Sequence, residues 1–121
     1  MGIENNECVI ATTANSENME NIKLWVASLI DRERSLFSFT AAPMNGKETV
    51  FLAPDGSKKG WAAAKQGEAL RDCFITLLNS FRYEDGSSNI EWVEVGYGEF
   101  GQKILRGNNE NRYNNEPYLS T

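Results

Sequence analysis

Two apolar stripes at helical spacing constrain this chain more than any other feature. Met19, Ile22, Trp25, Val26, Leu29 and Ile30 recur at i, i+3, i+6, i+7, i+10 and i+11. Leu70, Cys73, Phe74, Leu77, Leu78 and Phe81 repeat the pattern further on. A period of 3.6 residues gives each helix one face that must be buried. The first helix is expected over 14–34. Asn15 or Ser16 caps its start, Glu17 and Glu20 suit its positive end, and Arg32 and Arg34 suit the other. The second is clear over 66–81. Whether it begins as early as Ser57 is left open by Gly60 and Gly67, which both weaken an early start.

Between and around the helices lie β-type segments at 7–13, 35–42, 47–53, 89–97 and 102–106. Asn45-Gly46 marks a tight hairpin turn, and 84–88 marks another turn. The order is β-α-β-β-α-β with an extra C-terminal strand. Both stripes are buried most simply on one face of an antiparallel sheet. The expected fold class is therefore α+β, a two-layer sandwich with two helices on one face, in the split βαβ or ferredoxin-like arrangement. Residues 1–106 form the single domain, and 107–121 read as a polar, Asn-rich tail, loop-like or disordered.

Composition excludes several functions. The 121 residues carry a formal net charge of −5 and no histidine. General attraction to nucleic acid is disfavoured by that charge. Without histidine the common neutral-pH base, the Ser-His-Asp and Cys-His centres and nearly every zinc site are gone. No cofactor or metal is expected, and the balance leans away from an enzyme. Cys8 and Cys73 are expected to be reduced and buried. No apolar run is long enough to span a bilayer. The N-terminus is acidic where a signal peptide is basic, and Asn6 stands where myristoylation needs Ser or Thr. The expected address is the cytoplasm.

Three stretches are candidates for function. In PDGSKKGW (54–61), Lys58, Lys59 and Trp61 lie among glycines near a helix start, a place that can hold phosphate. The spacing departs from the phosphate-loop pattern, and Pro54-Asp55-Gly56 is ordinary turn chemistry. Glu84, Asp85, Glu91, Glu94 and Glu99 form an acidic stretch without Lys or Arg, but Glu91 and Glu94 have opposite parity and point to opposite faces of a strand. The hairpin after it combines Tyr97 and Phe100 with Lys103 and Arg106, a mixture suited to recognition.

The segments APDGSKKGW and WVEVGYGEFGQKILRGNN resemble small uncharacterised proteins of bacteriophages and prophages. The resemblance implies a bacterial or phage setting and carries no activity. The expected function is that of a small acidic protein-interaction module, a phage factor that binds and modulates a host protein. The alternative is a small-molecule, nucleotide or phosphate binder using the Lys58-Lys59-Trp61 loop. A protein partner is expected and a membrane is not, and an uncovered strand edge favours a homodimer.

Overall fold

The computed structural model describes residues 5–58 and 60–108. Its elements are β1 (Asn5–Thr13), α1 (Ser16–Ala27), α2 (Asp31–Arg34), β2 (Phe37–Ala41), β3 (Glu48–Leu52), α3 (Ala62–Asn79), β4 (Glu91–Gly98) and β5 (Gly101–Gly107). The strands make one antiparallel sheet in the order β2-β3-β1-β4-β5. Val9 and Ala11 of β1, Val50 and Leu52 of β3 and Trp92 of β4 point to one face. There they form a single cluster with Met19, Ile22 and Val26 of α1 and Leu70, Phe74 and Leu78 of α3. The chain is thus an α+β sandwich with its helices on one side. No helix among the described residues is long and apolar enough to cross a membrane.

The first helical stripe is divided. α1 ends at Ala27 and α2 starts at Asp31, with Ile30 extended between them. Ser28 turns its Oγ back to the Trp25 carbonyl at 2.5 Å, a bond that competes with continuation of the helix. Arg34 then donates to the carbonyls of Ala27 and Leu29, closing the end of α1 from below. At the other end Asn15 is the cap, accepting from Asn18 N–H at 2.9 Å. Asn18 itself is buried and donates to Asn89.

The second stripe is longer than expected and rotated. α3 begins at Ala62, so Gly67 lies inside it. Cys73, expected in the core, is exposed, whereas Ile75 is buried. The buried arc centres on Leu70, Phe74 and Leu78, and residue 73 lies ~100° to its open side. Cys8 is buried as expected.

Phe74 holds the layers together. Its ring stacks on Trp25 of α1 at 5.7 Å and meets Phe37 of β2 edge-on at 5.2 Å. The β2–β3 turn has Asn45 and Gly46 both at φ 62°, the type I′ geometry that their order predicts. Beyond β5, Asn108 donates to the Ile90 carbonyl at 2.7 Å and accepts from Trp92 N–H at 3.1 Å. The domain therefore continues to residue 108. The rest of the expected tail, 109–121, lies outside the described residues.

Phe74→Ala is expected to cost about 3–5 kcal/mol, measured as a fall in the urea midpoint, while Cys73→Ser stays within about 0.5 kcal/mol. A thiol reagent added to the native protein should modify one cysteine, Cys73. Burial pushes the Cys8 thiol pKa up and shields it until the chain unfolds.

Candidate functional site

The most unusual chemistry lies beneath α3. Glu94, on the helix-facing side of β4, is 3% exposed. Arg106 of β5 stands opposite it in the ladder and grips it with two bonds, Nε to Oε1 at 2.6 Å and Nη2 to Oε2 at 3.2 Å. The same Nη2 donates to Asp72 of α3 at 2.9 Å. Arg71, one residue earlier on the helix, approaches from the other side. Its Nε is 3.2 Å from Glu94 Oε2 and its Nη2 is 3.2 Å from Glu7 of β1. The Arg71 Nε–H is buried without an aligned hydrogen bond, so it is held by charge alone. Glu94 first, and Asp72 after it, raise the pKa of Arg106 against the opposing effect of its partial burial. The cluster ties α3 to β1, β4 and β5.

Arg71 also belongs to a second, outward-facing stripe on α3. Trp61, Lys65, Glu68 and Arg71 follow one another at spacings of four, three and three and, with Ala64, line one wall of a hollow of about 310 Å³. Glu7 and the 54–57 turn form the other wall. Asp55 Oδ1 accepts from both the N–H and the Oγ of Ser57, at 2.9 and 2.6 Å. Asp85 and Ser87 repeat this with the same two distances, and Gly56 and Gly86 both take positive φ. The sequence Asp-Gly-Ser thus builds the same Asx turn twice. In the second copy Ser87 holds the Asp85 carboxyl below its usual pKa. The first copy is pressed on α3 at Gly67, where a Cβ would come 2.8 Å from Asp55 Oδ2. Residues 54–57 are therefore a packed turn, and Trp61 stands at the start of α3.

Glu7 also borders a second hollow, of about 430 Å³, against the β4–β5 hairpin. Gly96, Tyr97, Phe100, Lys103 and Leu105 line it. The bulge between Glu94 and Val95 turns Leu105 over Gly96, where a Cβ would meet its Cδ1 at 3.2 Å. Phe100, at the hairpin tip, is 81% exposed.

The candidates named from sequence fall into three groups. Trp61 is 53% exposed on the first hollow, and the Lys58 carbonyl accepts from its N–H. Tyr97, Phe100 and Lys103 border the second hollow. Arg106 lines neither and belongs to the buried cluster. Lys59 lies outside the described residues. Glu91 is exposed and Glu94 buried, on opposite faces as their parity requires. Sequence reasoning missed Glu7, Lys65, Glu68 and Arg71, although the polar spacing 61-65-68-71 carried the signal.

A larger polar cleft, at Asn79, Arg82, Ser88, Asn89 and Asn108, is crossed by its own hydrogen bonds, among them Arg82 to the Asn79 carbonyl and Asn108 to Ser88. Among the described residues no group of His, Cys, Asp and Glu could hold a metal ion. No known family, curated protein or solved structure matches the chain.

Removing one member of the buried cluster leaves charge uncompensated. Glu94→Ala is expected to cost about 3–5 kcal/mol in urea unfolding. The triple replacement Glu94→Met, Arg71→Met, Arg106→Leu should be less destabilising than this single one, because it removes the stranded charges along with their partner.

Proposed function

We propose that the chain is a small protein-interaction module that docks a basic segment of a partner protein at the Glu7 end of the sheet. The observation that carries this is the exposed Trp61 ring in a hollow bordered by three carboxylates, Glu7, Asp55 and Glu68. Two cations, Lys65 and Arg71, share the lining, and Arg71 is already engaged by Glu7 and Glu94. With Arg71 and Glu7 paired to each other, Asp55 and Glu68 remain beside Lys65 in the lining, in a chain of net charge −5. An aromatic face beside carboxylates suits an arginine or lysine side chain through cation–π and ionic contact. The same balance works against the phosphate or nucleotide reading of this loop, even though α3 has neither a side-chain cap nor an acidic residue in its first turn. The second hollow, with Phe100 and Tyr97, offers a continuation for the flanking residues of the segment.

The strand order is consistent with the proposed ferredoxin-like frame, with β5 added beside β4. The setting we infer, from the resemblance of both hollow-forming segments to phage and prophage proteins, is a phage factor acting on a host protein in the cytoplasm.

An arginine-rich peptide is expected to raise the melting temperature and change the Trp61 fluorescence, with binding that weakens as salt rises. Trp61→Ala should weaken it about 10-fold or more, a loss of at least about 1.4 kcal/mol, and Glu68→Gln should reduce its salt dependence. A thermal shift with pyrophosphate and none with the peptide would reverse the assignment in favour of an anionic ligand.

A further inference from the structure

The helices cover one face of the sheet, and the sequence of the strands shows that the other face is built to be covered too. An antiparallel strand with one wet face alternates apolar and polar residues. The three central strands do not. β1 runs Cys8-Val9-Ile10-Ala11, β3 runs Val50-Phe51-Leu52, and β4 runs Trp92-Val93 and then Val95. The ladder places Ile10 beside both Phe51 and Val93, Cys8 beside Val95, and Val95 beside Ile104. None of these six belongs to the core cluster under the helices. They form one apolar patch on the far face, with Ile104 58% exposed.

We infer that this patch is the interface of a homodimer in which two copies stack sheet on sheet. Three observations select a second copy. The first is charge. Among the described strand residues on this face the only charged one is Glu91, at one end and paired with Lys47 at 3.9 Å. A neutral surface on a chain of net charge −5 gives a basic partner nothing to pair with. A second copy finds its match there, and the charged helical layers stay on the outside of the dimer. The second is size. Five strands about 4.8 Å apart and about seven residues long give a face of roughly 550 Å². Two such faces bury roughly 1,100 Å², just above the ~1,000 Å² that a specific interface needs. The third concerns residues 109–121, which follow the last described residue in the sequence. They contain only Tyr113, Tyr118 and Leu119 as large apolar side chains, too few to match the patch.

The strand edges are poorer interfaces. β2 has five residues, and the β4–β5 ladder is interrupted by a bulge, both of which discourage edge pairing. A two-fold axis through the patch would bring each apolar stripe against its own copy, in the aligned packing that twisted sheets adopt.

The test is the mass of the full chain in solution, by sedimentation equilibrium, with the same measurement on Ile104→Lys and on Ala41→Pro. A dimer of twice the 13.6 kDa chain mass is expected. Ile104→Lys should raise its dissociation constant at least about 100-fold, since an ammonium group would be buried without a partner. Ala41→Pro should leave the dimer intact, since Ala41 shares the helical face with Val50 and Leu52 and its N–H points away from β3 to the open edge of β2. Ile104 is largely exposed in the single chain, so an unchanged far-UV circular dichroism spectrum separates lost association from lost folding. A monomer at every concentration would overturn the inference, and would leave the face to residues 109–121 or to another protein. A dimer lost in Ala41→Pro and kept in Ile104→Lys would overturn it in favour of the edge.

Discussion

One buried carboxylate sets the geometry on which the rest depends. Glu94 sits under α3 in a layer otherwise filled with Val, Leu, Ile and Phe. An unpaired charge there would be untenable. It is tolerated because a guanidinium reaches it from each side, one from the neighbouring strand and one from the helix above. The two hydrogen bonds from Arg106 are directional, while Arg71 adds charge from the other side. A carboxylate held between Arg71 and Arg106 admits one axial position of α3 over β4 and β5. That position carries the outer stripe of the helix to the Glu7 end of the sheet and sets Trp61 beside the Asp55 turn. The apolar layer supplies most of the stabilisation, and the ionic layer supplies the register.

The division of labour continues through the aromatic cluster. Phe74 is one helical turn from Arg71 and packs on Trp25 and Phe37. Lys23 extends this contact outward, over the Phe39 ring at 5.6 Å and on to Glu48 at 3.5 Å. α1 and β2 are therefore located against α3 at one side of the sheet, while the arginines locate α3 against β4 and β5 at the other. A sheet pinned to its helices at both margins twists as a unit with them.

Much of the fold was legible in the sequence because period carries it. All five strands and the two long helices lie within the segments, or within a few residues of them, that the apolar spacing and the β-branched runs mark out. The differences come from interactions that period does not encode. The break after Ala27 depends on a serine hydroxyl and a distant arginine that finish one helix and start another. The exposure of Cys73 depends on where the buried arc is centred, which the sheet decides: moving the centre toward Ile75 by part of a turn exchanges a cysteine for an isoleucine. The site was harder to find. Trp61, Tyr97, Phe100 and Lys103 stand out as residue types. Glu7, Lys65 and Glu68 do not, since charged residues on a helix or near a terminus are ordinary until the fold brings them together. Arg106 is the reverse case. It looks like a recognition residue in a hairpin, yet the register of β5 spends its guanidinium on Glu94.

The two faces of the sheet pose different physical problems. On the helical side, mixed charge and apolar surface are reconciled within one chain, by pairing each ion and surrounding it with packed side chains. On the far side there is almost no charge to reconcile, and none of the described helices packs over what the strands present. A strand that is apolar on both faces is common in sheets buried on both sides and costly in a sheet covered on one, because each large apolar side chain left wet forfeits about 1.5–3 kcal/mol of burial. Half-exposure reduces that loss at Ile10, Phe51, Val93 and Val95, which shield one another across the ladder. Mutual shielding does not remove it at Ile104. A solvated sheet could carry threonine at these positions with no loss of β propensity, as this one does at Thr12 and Thr49, which bond to each other across the same face. The face is therefore polar where it meets water at one end and apolar through its middle. That pattern belongs to an interface with a dry centre and a wet rim.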